Sequence, residues 1–294
     1  MKISYTQLVD FLNCKRMYYL KHVLKLRSKV LNIPYIIGSL AHEAILDLLQ
    51  TKDLRHTLDI YLQKYNKKVK DLRKSKNIIL TDEDYNELYN YEFILKGMIE
   101  GYMFKNKSFV NSVKLLSNKS VKANINNAII FAYPDNLIEL NNTVMVYELK
   151  TVSKLTSDYI INIKGNFQVN LEMFLFNFSK KESVSSIYYD IIKKCQYRLK
   201  RNESVIEFRN RLHDYYLDES EPNFYQEIFV NKHLQKIFLT LLTNIVNDFK
   251  LCGDNIDKYY YNFNYCFVWQ RCEFYEICHK GFTKQIKLNF IQVK

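Results

Sequence analysis

Apolar positions recur at helical spacing over the first hundred or so residues, then switch near residue 120 to the alternation of strands. Ser4 followed by Gln7 reads as a capping box, each side chain satisfying the other's backbone N–H. The helix it opens carries Leu8, Phe11 and Leu12 on one face, and Cys14 ends it or sits in the break before Met17–Leu20. A second helix is predicted over Ile37–Gln50 and carries His42. From about residue 53 to 115 the chain is charged and amphipathic, with Leu62, Tyr65, Leu72, Tyr85, Leu88, Tyr91, Phe93, Ile94 and Met98 as candidate core. Residues 1–115 therefore read as a helical subdomain.

Beyond it, Val121–Phe131 reads as one strand and Asn136–Leu140 as another, with Asn141-Asn142 as a tight turn into a third, Thr143–Thr151. Strand side chains alternate, so Val144, Val146, Glu148 and Lys150 share a face. Tyr159–Phe178 is predicted as a helix carrying Gln168, with Gly165 a weak point, and Ser186–Ile192 returns to strand. Residues 116–200 thus form an α/β core. Three further helices are expected over Val205–Asp218, Asn223–Phe229 and Lys232–Lys250, and Tyr259–Gly281 places three cysteines among aromatics. With no internal repeat and no low-complexity linker, the 294 residues read as one integrated unit, its C-terminal part spanning 201–294.

Composition sharpens this modestly. Apolar residues make up 48 %, enough for a sizeable core, and only 6 Gly and 3 Pro accompany them. Lys and Arg number 43 against 31 Asp and Glu, a net +12 that suits a polyanion without requiring one. The N-terminus has no apolar signal region, and no apolar run reaches the roughly 18 residues of a membrane span. Six cysteines in that context favour reduced thiols or metal ligands over disulfides, and cytoplasm as the expected location.

Candidate chemistry gathers in two places. Pro134-Asp135 precedes Glu148-Leu149-Lys150, and Asp135 and Glu148 on adjacent strands can supply carboxylates to a hard divalent cation. Lys150 can orient or help deprotonate a water and offset phosphate charge. Alone, Glu-x-Lys on a strand is most often a solvated charge pair; the Pro-Asp and hairpin spacing strengthen the sharper reading. His42 is either a third ligand or an ordinary helix residue among small neighbours. At the chain's two ends, Cys14, Cys266, Cys272 and Cys278 can close one site. The last three are each separated by five residues, wider than common zinc spacings, so an iron–sulfur cluster, zinc and plain thiols all stay open. Cys195 and Cys252 fit no ligand pattern. Lys193, Lys194, Arg198, Lys200 and Arg201 form a basic run after a core strand, a solvated face or a contact for a nucleic-acid backbone.

Gly38 through His42, Pro134-Asp135, Glu148-Leu149-Lys150 and Gln168 together resemble the PD-(D/E)XK superfamily, with RecB-type nuclease domains, CRISPR-associated iron–sulfur exonucleases and phage-encoded nucleases as the most similar branches. The resemblance runs from Ser4 through Cys278. It implies an α/β (α+β) fold: a mixed central sheet of the restriction-endonuclease type flanked by helices, with helical N- and C-terminal parts joined by a four-cysteine cluster. It also implies Mg²⁺ or Mn²⁺ at His42, Asp135 and Glu148, Lys150 as the catalytic lysine, and Gln168 as the helix glutamine that contacts substrate or positions the site. The four cysteines would hold a [4Fe-4S] cluster, with Zn²⁺ as the alternative. The implied activity is a DNA nuclease, an exonuclease on single strands or DNA ends, working in repair, recombination or phage DNA processing. A helicase or recombination protein is the implied partner, because this chain has no Walker-type phosphate loop. The alternative is a DNA-binding or assembly subunit that has lost catalysis. Three departures stand out: Ala132 where the family has Gly, Lys15 where Pro follows the first Cys, and Glu172 where Tyr follows the helix Gln.

Overall fold

A computed structural model describes residues 1–30, 33–75, 78, 80–117, 120–163, 165–179, 184, 186–229, 232–253, 255–268 and 271–293. The strands are β1 (Lys2–Ser4), β2 (Leu26–Ser28), β3 (Lys114–Ser117), β4 (Val121–Ile125), β5 (Ala128–Ala132), β6 (Asn136–Leu140), β7 (Thr143–Val152), β8 (Ser186–Lys193), β9 (Phe224–Phe229) and β10 (Phe290–Gln292). The helices are α1 (Tyr5–Asn13), α2 (Lys15–Tyr18), α3 (Ile33–Thr51), α4 (Leu54–Lys74), α5 (Asp82–Lys105) and α6 (Lys107–Ser112), then α7 (Ser157–Ile163), α8 (Phe167–Phe178), α9 (Val205–Asp214), α10 (Lys232–Cys252), α11 (Tyr275–Lys280) and α12 (Lys284–Lys287). The mixed α/β class expected above is what forms. No described helix is long and apolar enough to cross a membrane.

A five-stranded mixed sheet in the order β3-β6-β7-β8-β9 occupies the centre. Its one parallel pair is β7 with β8; β3–β6, β6–β7 and β8–β9 are antiparallel. Alternation sends Tyr147, Leu149, Tyr188 and Ile192 to one face, where they join the apolar faces of α3, α4, α5 and α9. Val146, Ile187, Tyr189 and Ile191 point the other way, into a second core built with α1, α8, α10 and the small sheet β1-β5-β4. Both faces of β7 and β8 are covered, so any polar group at their middle is buried.

Four sequence expectations need correction. Val121–Phe131 is not one strand but the hairpin β4–β5, because Asn126 and Asn127 take positive φ (49° and 59°), the left-handed pair a two-residue turn requires. Asn141 and Asn142 repeat the device between β6 and β7 (51° and 60°). Tyr159–Phe178 breaks into α7 and α8 around Gly165 and Asn166. Asn223–Phe229 is not a helix: Phe224–Phe229 is strand β9, which pairs along the open edge of β8. Leu12, placed on the buried face of α1, is 49 % exposed, while Leu8 and Phe11 are buried. The capping box at Ser4 and Gln7 forms as expected.

The two chain ends meet through backbone pairing. β10 runs antiparallel to β2, and the Arg16 N–H donates to the Tyr260 carbonyl. Between them lies a small third core of Met17, Leu20, Leu26, Phe274, Ile277 and Ile286.

Candidate active site

The site is assembled at the C-terminal half of β7. Pro134 and Asp135 lie in the connection from β5 to β6, directly before the first β6 residue. Asn136 pairs with Tyr147, so the antiparallel register sets Asp135 beside Glu148. The Leu149 N–H donates to Asp135 Oδ2 at 2.8 Å, which ties the loop to the strand. Helix α3 crosses β7 at Gly38, where a Cβ would stand 3.0 Å from Thr151 Oγ1. His42 lies one turn further along the same helix face, and its Nδ1 comes within 3.8 Å of Asp135 Oδ2.

On the other side, Asn166 caps a fresh helix, its side chain accepting from the Gln168 and Val169 N–H groups. This restart of α8 aims Gln168 at the sheet: Lys150 Nζ donates to Gln168 Oε1 at 3.0 Å. One turn later, Gln168 Nε2 donates to Glu172 Oε1 at 3.1 Å. Lys150 also pairs with Glu148 Oε1. Apart from that ammonium, neither Glu148 oxygen has a donor among the described residues, and Glu172 Oε2 is also without one.

Glu148 and Glu172 are fully buried, whereas Asp135 and Lys150 keep an exposed edge. Burial pushes Glu148 up to about 7; Lys150 opposes the rise and the Asp135 charge adds to it. Burial and the Glu148 charge push Glu172 well above the carboxylate range. Burial would raise Asp135 too, but His42, Lys150 and the Leu149 N–H hold it below its ordinary value. Burial disfavours charge on Lys150, yet Glu148 and Asp135 outweigh it and raise its pKa. As placed, Lys150 offers positive charge and N–H donors to the site.

His42, Asp135, Glu148, Lys150 and Gln168 are therefore brought together. Glu172 is a further acid that sequence reasoning noted only as a departure. Its signal was present: it sits four residues after Gln168, hence on the same helix face, among the buried residues Leu171, Met173 and Leu175.

The superfamily's sequence model matches residues 2–279. The chain belongs to the PD-(D/E)XK nuclease superfamily. No curated protein matches it. Superfamily members are nucleases, that is, phosphodiester hydrolases.

Among the described residues, no group of three or more His, Cys, Asp or Glu side chains is placed to hold a metal ion. The chemistry of the donors nevertheless fits a hard dication. Asp135 and Glu148 offer oxygens and His42 an imidazole. Glu148 faces Lys150 and Asp135 faces His42.

The four terminal cysteines share one neighbourhood. Cys14, Cys272 and Cys278 pack against the third core, and the Asn262 N–H donates to Cys14 Sγ at 3.4 Å. The Cys272 N–H donates to the Cys266 carbonyl at 2.8 Å. Burial raises Cys266, Cys272 and Cys278, the last to about 12, and the charges of their fellow thiols add to each rise. Cys195 and Cys252 are buried elsewhere, in the first and second cores.

The basic run starts where β7 and β8 end: Lys193 pairs with Val152, and the Lys194 N–H donates to the Val152 carbonyl at 2.7 Å. It thus leaves the sheet from the end that carries Lys150. Lys193 is half-buried near Glu221, at 4.0 Å, and burial lowers the pKa of Lys194. Arg198, Lys200 and Arg201 are exposed. Arg198 and Lys200 line an open cavity of about 620 Å³ with Tyr197, Arg211 and Tyr215, and Asp214 and Asp218 lie in it too.

Proposed function

We propose that this PD-(D/E)XK protein is a metal-dependent deoxyribonuclease, an exonuclease that works on single strands or DNA ends. The observation that carries the reading is the gathering of two linked pairs, Glu148 with Lys150 and Asp135 with His42, side by side at β7 in a chain of this superfamily. Mg²⁺ or Mn²⁺ would be held by Asp135, Glu148 and His42, and when bound it supplies Lewis acidity to the phosphate and lowers the pKa of a water.

The chain's own groups do the rest. Lys150, kept protonated by its acidic neighbours, presents N–H donors and positive charge to the phosphoryl oxygens as their charge grows. Gln168 fixes the ammonium, and the Leu149 N–H fixes the Asp135 carboxylate. Burial excludes water from Glu148, which strengthens each of these electrostatic effects. Arg198, Lys200 and Arg201, exposed beyond the same end of the sheet, suit contacts to the DNA backbone, with Lys193 and Lys194 at the base of the run.

Cys14, Cys266, Cys272 and Cys278 are proposed to hold a [4Fe-4S] cluster with a structural role. Their shared neighbourhood beside the third core supports this, and zinc is the competing ligand. A helicase or recombination protein would supply unwinding.

The test uses end-labelled DNA with strand-specific labels. Cleavage should require Mg²⁺ or Mn²⁺ and disappear in Glu148→Gln while DNA binding persists. Binding without cleavage in the parent protein would instead identify a non-catalytic assembly subunit. Protein purified without oxygen should be brown; colourless protein with one zinc per chain would overturn the cluster.

A further inference from the structure

Glu172 stands where it controls the orientation of another side chain. An amide can present either its oxygen or its NH₂ to a given neighbour, and Gln168 has one neighbour of each kind. Its Oε1 faces the Lys150 ammonium at 3.0 Å, and its Nε2 faces Glu172 Oε1 at 3.1 Å. Turned over, it would set NH₂ against an ammonium that only donates, and its oxygen against an acceptor. Protonated or not, Glu172 offers an accepting oxygen to Nε2. The carboxyl group is fully buried, its second oxygen has no donor among the described residues, and it lies on the face of α8 turned toward β7. A buried acid beside two other acids is costly. The Asn166 cap fixes the backbone of the first turn, so the remaining freedom of Gln168 lies in its own side-chain torsions.

We infer that Glu172 is a positioning residue: it holds the Gln168 amide with its oxygen toward Lys150, and through Gln168 it sets where the Lys150 ammonium sits relative to Glu148. The inference rests on the nuclease reading of the site. It assigns work to a position that the family resemblance marks only as a departure from tyrosine.

Three variants decide it: Glu172→Leu, which removes the acceptor; Glu172→Gln, which removes the charge but keeps an acceptor; and Gln168→Leu. Two readouts are taken, kcat and KM for DNA cleavage in Mg²⁺, and the side-chain amide spectrum of ¹⁵N-glutamine-labelled protein with no metal added. Glu172→Leu should lower kcat about 10–100-fold with KM little changed. It should also move the Gln168 side-chain amide signals toward the positions of an exposed, freely rotating glutamine. Glu172→Gln should restore most of kcat and keep those signals near their parent positions. The double variant Glu172→Leu/Gln168→Leu should be no slower than Gln168→Leu alone. An unchanged Gln168 signal in Glu172→Leu overturns the inference, as does a Glu172→Gln variant as slow as Glu172→Leu. If the parent protein cleaves nothing, the nuclease reading falls, and the amide spectra still decide the role of Glu172.

Discussion

Two carboxylates sit side by side in the central sheet, both fully buried, and they live in opposite surroundings. Asp190 on β8 faces the helical layer, where Tyr147 donates to its Oδ2 at 2.8 Å and Tyr102 donates to the same oxygen. Glu148 on β7 faces α8 and meets one ammonium and the charges of two other acids, Asp135 and Glu172. Burial raises both, Asp190 to about 6 and Glu148 to about 7. The shift alone therefore does not separate a structural acid from a chemical one. What separates them is the identity of the partners: two neutral hydroxyls hold Asp190 Oδ2, whereas Glu148 pairs with an ammonium and faces two other acids.

The largest expected contrast comes from removing each acid in turn. Glu148→Gln should lower cleavage by about 10²–10³-fold or more while the melting temperature holds or rises, because a crowded buried charge has been removed. Asp190→Ala should do the reverse. Two buried hydroxyls lose their acceptor, at about 1–3 kcal/mol each, and cleavage per folded molecule stays near that of the parent. Denaturant unfolding alongside the nuclease assay separates the two. A Glu148→Gln variant that unfolds early but cleaves normally would break the comparison.

A pH series sharpens it further. The folded pKa of Asp190 lies above the ordinary 3.8, so the native chain binds an extra proton between pH 3.8 and about 6. Its contribution to stability is thus greatest below that window and falls as pH rises through it, by about 3 kcal/mol in total. Asp190→Asn should flatten that part of the profile, measured by urea unfolding of metal-free protein at pH 4 and pH 7. An unaltered slope would mean that Asp190 is ionised freely in the fold. The smallest effect belongs to the cap: Asn166→Ala should cost about 1 kcal/mol and loosen the first turn of α8 that carries Gln168.

Much of the site's frame was legible in the sequence. Alternation over Thr143–Thr151 put Glu148 and Lys150 on one face, and Asn141-Asn142 marked the turn before it. The same Asn-Asn signal at 126–127 was passed over because apolar residues flank it closely on both sides and read as one run. Strand β9 was missed for a different reason. Its residues carry no decisive period, and only the open edge of β8, set by distant parts of the chain, makes them extended. Glu172 was visible as an acid four residues after Gln168, but the fresh helix start at Asn166, which aims both at β7, depends on a break read merely as a weak point.

The ribbon of β2 and β10 has a consequence for biosynthesis. Ser28 is synthesised well before its partner Phe290, with the whole central sheet made between them. The small core beneath that ribbon, with the thiols around it, cannot close until Phe290 has been made. Until then Leu20 and Met17 lie without their C-terminal cover, so the nascent chain depends on α1 and the central sheet for whatever order it has.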